Sequence, residues 1–214
     1  MITKISQIIF NKLEQDLENE DGVSLIVSGG SSPVQIFKDL STMETEWCEI
    51  DISLVDDRVV DKNHNDSNEK LVNDLLIIDK AKDANFISIC NQFDKLANLN
   101  RPFNVMLLGM GEDGHFASLF PKLIHTNPEY FDKAAKPEIF FTEPMGNPCH
   151  KRVSMNLSMI LQSEIIFLLV SSQKKMEVFN RAKNDKSLPL YFLLNQDKIN
   201  INIVKDFWAF KNII

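Results

Sequence analysis

His115 stands in the stretch GMGEDGHFASLF, Gly109 to Phe120, two residues after Asp113 and behind the apolar run Val105 to Leu108. A histidine that follows Asp-Gly at the end of a strand can take and return a proton near neutral pH. Asp113 or Glu112 can hold its tautomer or raise its basicity. The other three histidines, His64, His125 and His150, have no comparable frame and read as structural. A second group of residues suits an anion. Gly29 and Gly30 let the backbone approach a ligand, and Ser31 and Ser32 offer hydroxyls and N–H groups at the start of a helix. Pro33 fits the first helical turn, where its missing N–H is not needed. Arg58, Arg152 and Lys175 fall near the ends of other predicted strands, and Asp56 and Asp57 precede Arg58. Such an arginine can fork onto a phosphate, and an aspartate beside it can orient a hydroxyl or a cation.

The first six residues of the quoted stretch satisfy G-x-G-x-x-G, yet a dinucleotide loop needs more. Glu112 and Asp113 would face a pyrophosphate, and Pro121 stops the helix that should follow. Glu129 and Asp132 lie at a suitable distance for a ribose contact, but KLIHTNPEY does not read as the second strand of a βαβ unit. The dinucleotide reading is therefore set aside. No H-x-x-x-H pair or Cys/His cluster is present, so no metal site and no cofactor are expected.

These residues need elements to carry them. Ile2, Ile5, Ile9, Leu13 and Leu17 recur at helical spacing in a first segment that ends near Asp21-Gly22. Val23 to Val27 then reads as a strand, followed by the glycine turn and the helix VQIFKDLS. The same grammar returns with a strand over Ile50 to Val55, a helix in SNEKLVNDLL and a buried strand over Val105 to Leu108. Further strands are expected at Arg152 to Leu157, Glu164 to Val170 and INIVKD, with a helix in KKMEVFNRAK. The alternation predicts an α/β fold, a Rossmann-like, mainly parallel sheet with helices on both faces. In such sheets ligands bind beyond the carboxyl ends of the strands, where Ser28 to Ser32, Asp56 to Arg58, Gly109 to His115 and Ser171 to Lys175 all fall.

The chain has 214 residues, 44% hydrophobic and 25% charged, and no repeat or linker divides it, so one domain over 1–214 is expected. A net charge of -7 argues against a general nucleic-acid binder and requires any anion site to be built locally. Cys48, Cys90 and Cys149 offer neither a disulfide framework nor a C-x-x-C pair. With no signal peptide and no apolar run of membrane-spanning length, a cytoplasmic protein without membrane attachment is expected. The sequence leaves its state open between a monomer and a small homo-oligomer.

In combination the segments resemble the 6-phosphogluconolactonases, a family similar in fold to glucosamine-6-phosphate deaminases and ribose-5-phosphate isomerases. SGGSSP matches that family's G-G-S-T-P, VDDRVV its D-E-R segment and NDSNEKLV its S-N-x-x-L/V segment. LLGMGEDGHFASLFP matches its long G-x-G-x-D-G-H-x-A-S-L-F-P, and KRVSMNLSMI and SSQKKMEVF are looser matches. The departures are Asp57 for a glutamate, Ser172 for a glycine, and Ser154 and Asn156 for threonines. The resemblance implies metal-free hydrolysis of 6-phospho-D-glucono-1,5-lactone to 6-phosphogluconate in the oxidative pentose phosphate pathway. His115 would be the base, supported by Asp113. Arg58 would act on the phosphate or the oxyanion, with Gly29 to Ser32, Asp56, Arg152 and Lys175 binding substrate. Two other readings stand beside it. A deaminase would continue I-A-F-N-E-P after the histidine, where this chain has Phe116 to Pro121 without that glutamate. A non-catalytic sugar-phosphate sensor would keep the binding groups but not require His115.

Overall fold

A computed structural model of the chain describes residues 2–20 and 22–205. Asp21 and Asp206, which close two of the predicted segments, lie outside the described residues. In chain order the elements are α1 (Lys4–Leu17), β1 (Val23–Val27), α2 (Val34–Leu40), β2 (Ile50–Leu54), β3 (Asp56–Arg58), α3 (Asn68–Leu75), β4 (Asn85–Ile87), α4 (Phe93–Ala97) and β5 (Phe103–Gly109). They continue with α5 (Leu123–Thr126), β6 (Ile139–Phe141), β7 (Arg152–Met155), α6 (Leu157–Ile160), β8 (Ser163–Leu169), α7 (Gln173–Ala182), α8 (Leu190–Leu194) and β9 (Ile201–Val204).

Six strands form one sheet in the order β4-β2-β1-β5-β8-β9, and every pairing in it is parallel. Successive side chains of a strand point to opposite faces. All five residues of β1 and the first six of β5 are buried, so both faces of the sheet centre are covered. This is why these strands read as unbroken apolar runs rather than alternating ones. Helix α1 supplies one part of the cover through Ile5, Ile9 and Leu13, all buried. Thr3 caps it by accepting from Ser6 N, and the Asp39 carboxylate anchors it by accepting from Thr3 N at 2.8 Å and Ser6 Oγ at 2.7 Å.

Two expectations are corrected in the same place. Asp56 to Arg58 is a strand rather than a loop, and Arg152 to Met155 belongs to a separate antiparallel sheet, β3-β7-β6, instead of the main one. The cause is visible at Val55. Its N–H still bonds Val27 of the main sheet at 3.0 Å, while its carbonyl accepts from Met155 N at 3.0 Å. The extended chain therefore passes from one ladder into the other without a turn. The resulting register sets Arg58 opposite Arg152 and Asp56 opposite Ser154.

Asp57 joins the second sheet to α3. Its carboxylate, 1% exposed, accepts from Arg58 N at 2.7 Å, Asn68 N at 2.7 Å, Glu69 N at 3.0 Å and Ser67 Oγ at 3.3 Å. Burial lifts its pKa to about 6 against the opposing pull of those N–H groups. A carboxyl whose folded pKa exceeds its unfolded value contributes stability at pH below 3.8 that disappears as pH rises through about 6. Comparing urea unfolding of the wild type and Asp57→Asn between pH 4 and pH 7 should show the wild-type advantage shrinking by about 2–3 kcal/mol as pH rises. A pH-independent difference would refute this account.

Candidate active site

The order of strands reverses direction beside β1: the chain builds outward to β2 and β4, then returns to β5 on the other side. The carboxyl ends of β1 and β5 thus frame a crevice, the position where open α/β sheets bind ligands. Ser28 ties its two walls together, donating N–H to Leu107 O at 2.8 Å and accepting from Gly109 N at 3.1 Å.

The cleft there measures about 240 Å³ and is lined by Gly29, Gly30, Ser31, Ser32, Asp56, Arg58, His115, Arg152 and Lys175 among others. Its volume suits a small polar molecule, being under the roughly 300–1,000 Å³ common for drug-sized ligands. Asp113 stands behind His115. Its Oδ1 lies 2.5 Å from His115 Nδ1 and also accepts the His115 backbone N–H at 3.2 Å. Burial raises the Asp113 pKa, but the hydrogen bond and charge of His115 outweigh it, and the net shift is downward. An ionised carboxylate can only accept, so in the neutral ring Nδ1 carries the proton and Nε2 keeps its lone pair.

Close approach dictates the glycines around this pair. A Cβ at Gly111 would meet His115 Nδ1 at 2.2 Å and Asp113 Oδ1 at 2.5 Å, so any side chain there would displace the dyad. Across the cleft, a Cβ at Gly29 would stand 2.0 Å from Asn68 Oδ1. Asn68 accepts from Arg58 Nη1 at 3.1 Å and donates to Asp56 O at 3.0 Å. It lines the cleft together with Met110, Gly111, Ala117 and Asn147. The sequence names none of these as a binding residue, although Met110 and Gly111 fall in the expected loop Gly109 to His115 and Asn68 and Ala117 lie within matched segments.

The segment after His115 binds the site to the second sheet. Ala117 adopts a φ of 47°, a left-handed value unusual for a residue with a side chain. This turns Ser118 inward, where its Oγ donates to Asp56 Oδ2 at 2.6 Å and its N–H to Ser154 Oγ at 3.1 Å. Phe120 packs on His115 with ring centroids 4.5 Å apart and lies 5.4 Å from the Arg152 guanidinium.

The basic side chains are held by neutral groups. Arg58 Nη1 donates to Asp66 O at 2.7 Å, while its buried Nε has no acceptor among the described residues. Arg152, 4% exposed, donates to Pro148 O at 2.9 Å and Met145 O at 3.4 Å. Lys175 Nζ donates to Ser32 Oγ and Ser171 Oγ, both at 3.1 Å. Among the described residues none of the three forms an ion pair with a carboxylate. Burial lowers the pKa of Lys175, and burial followed by the nearby Arg58 charge lowers that of Arg152. Among the described residues the arrangement sets three basic side chains without direct ion pairs, and the Asp56 carboxylate, around the cleft that His115 lines.

The family model for glucosamine-6-phosphate isomerases/6-phosphogluconolactonase matches residues 1–201. The 6-phosphogluconolactonase of Helicobacter pylori is 34% identical over 199 residues, covering 87% of this chain and 85% of its own. That of Neisseria meningitidis is 31% identical over 216 residues, covering 93% and 91%. The crystal structure of a 6-phosphogluconolactonase from Shewanella baltica superposes with a TM-score of 0.84 at 29% identity, covering 94% of this chain and 91% of that one. The chain belongs to the glucosamine-6-phosphate isomerase/6-phosphogluconolactonase family.

Proposed function

We propose that this chain hydrolyses 6-phospho-D-glucono-1,5-lactone to 6-phosphogluconate, the step that opens the lactone in the oxidative pentose phosphate pathway. The observation that carries the proposal is the His115–Asp113 pair at a cleft whose three basic side chains form no ion pair with a carboxylate among the described residues. The named activity of the relatives above supports it.

In this mechanism His115 Nε2 takes a proton from water as the oxygen attacks the lactone carbonyl carbon. Negative charge develops on the carbonyl oxygen, and a positioned cation or N–H donor lowers the energy of that state. When the tetrahedral intermediate collapses, the bond to the ring oxygen breaks, and the imidazolium returns its proton to that oxygen. Asp113 fixes the tautomer at the start and stabilises the imidazolium between the two transfers. Lys175, with the hydroxyls of Ser32 and Ser171, and the backbone of Gly29 to Ser32 hold the 6-phosphate. Arg152 and Arg58 complete the positive lining. The place of Arg58 in the cleft lining supports a contact with the ligand. Asp56 acts from the side, its carboxylate already holding Ser118. This remote grip on phosphate aligns the carbonyl with His115, so binding energy is used to orient the reacting atoms.

One domain over 1–214 would hold the lining groups of the cleft, from Ser28 to Lys175. Three free cysteines, with burial pushing the Cys90 thiol up to about 12, accord with a reducing cytoplasm. No helix among the described residues is long and apolar enough to cross a membrane.

Purified protein should accelerate acid release from freshly made 6-phosphogluconolactone above its spontaneous opening, followed by pH-stat. His115→Ala should lower kcat by about 10²–10⁴-fold with an unchanged circular dichroism spectrum. Lys175→Ala should mainly raise KM. Wild-type turnover in His115→Ala, or ammonia release from glucosamine 6-phosphate in place of lactone opening, would reverse the proposal. A separate expectation concerns Gly111→Ala, whose methyl would push the His115 ring aside. It should cut kcat by about 10–100-fold without a matching loss in unfolding midpoint, and normal turnover would show the dyad tolerates that shift.

A further inference from the structure

Three side chains with no shared motif converge beside the cleft: His64, Asp66 and His150. Asp66 and His150 are 84 residues apart in sequence, yet His150 Nε2 lies 2.8 Å from Asp66 Oδ2. His64 Nδ1 is 3.8 Å from the same oxygen, and the two imidazole rings meet edge to face at 5.7 Å. One ligand atom from each residue falls within 4.8 Å of the others. Zinc bonds of about 2.0–2.1 Å in a tetrahedral site separate neighbouring ligand atoms by about 3.3 Å. The cluster thus brackets that spacing and needs only small side-chain movements to reach it.

The chemistry of the donors fits as well. His64 Nδ1 accepts the backbone N–H of Asp66 at 3.1 Å, so in its neutral form that ring carries its proton on Nε2, and its Nδ1 lone pair would leave this hydrogen bond to reach the ion. His150 Nε2 donates to Asp66 Oδ2 at 2.8 Å, so binding an ion would move that ring's proton to Nδ1 and exchange this hydrogen bond for two bonds to the metal. Two imidazoles and a carboxylate favour zinc and its neighbours over magnesium or calcium, which take oxygen ligands. The side chains are 48%, 34% and 26% exposed for His64, Asp66 and His150, leaving an entry path and room for water at a fourth position.

We propose that His64, Asp66 and His150 bind one divalent transition-metal ion of the zinc type at the edge of the cleft. The ion would pin the turn before α3 to the segment leading into β7. It would also fix the residue that holds Arg58, because the carbonyl of Asp66 accepts from Arg58 Nη1. This replaces the earlier reading of His64 and His150 as purely structural. The site is distinct from the His115–Asp113 pair and takes no part in the proton transfers, so it stands or falls independently of the lactonase reading.

The test measures metal directly. Full-length protein freed of metal with a chelator is titrated with Zn²⁺ by calorimetry, and bound zinc is counted by mass spectrometry after dialysis. The wild type should hold one equivalent at this site and melt at a higher temperature with zinc. His150→Ala and His64→Asn should each weaken that binding at least about tenfold and abolish the melting shift, while His115→Ala and His125→Ala retain both. Excess Mg²⁺ should not compete. Because His64 is about half exposed, His64→Asn provides a variant expected to keep its fold. Absence of stoichiometric binding, binding undiminished in both His64→Asn and His150→Ala, or loss confined to His115→Ala would each overturn the proposal.

Discussion

Arg58 and Arg152 face each other across an antiparallel ladder, and the site is organised around that unfavourable pairing. Like charges directly opposite on neighbouring strands destabilise a sheet. Here both guanidinium groups are held by backbone carbonyls, which satisfy donors without cancelling charge. The lower pKa of Arg152, caused by burial and then by Arg58, reflects the same tension. In the proposed mechanism an anionic ligand would offset that charge, which accords with a phosphorylated substrate. Removing the antiparallel register would separate the two arginines and dissolve the site without touching the main sheet.

The second sheet must in turn be held against the crevice, and polar groups do this where apolar packing cannot. Asp57 gathers the N-terminal N–H groups of α3, and Asn68 at the start of that helix reaches both Arg58 and Asp56. Ser118 clasps Asp56 from the loop that carries His115. The base and the cationic lining are therefore linked through a short chain of hydrogen bonds, and neither can shift alone. Gly29, Gly111 and Gly146 occupy points where a side chain would press on Asn68, on the His115–Asp113 pair and on Arg152.

Much of this was legible in the sequence because it is local. Apolar runs such as Val23 to Val27 reveal buried strands, and glycine turns after them mark the ligand end of a parallel sheet. The short spacing offers Asp113 or Glu112 as the partner of His115, and the folded loop brings Asp113 to its Nδ1. What could not be read depends on distant partners. Asp56 to Arg58 reads as a charged turn, and only its ladder with Arg152 to Ser154 makes it a strand. Asn68 reads as an ordinary polar residue at the start of a helix until Gly29 is seen pressed against its side chain. Nothing in the spacing of His64, Asp66 and His150 could announce their meeting, since β7 and the turn before α3 come together only in the folded chain.

The departures from the family pattern also become intelligible through hydrogen bonding. Asp57, one methylene shorter than the usual glutamate, is spent on α3, so reach into the cleft is not what its position requires. Ser172 in place of glycine caps α7 by accepting from Lys175 N at 3.2 Å, which helps fix the backbone that presents the lysine. Asn156 caps α6 through Met159 N at 2.9 Å and bonds Lys136 O at 2.8 Å, while Ser154 receives the N–H of Ser118. Each substitution keeps a polar atom where the fold needs one and leaves the cationic lining intact. With a net charge of -7 the surface opposes anions at long range, but physiological salt screens that field beyond about 8 Å. Within that distance Arg58, Arg152 and Lys175, which form no ion pair among the described residues, supply the local positive charge that the proposed site for a small phosphate ester requires.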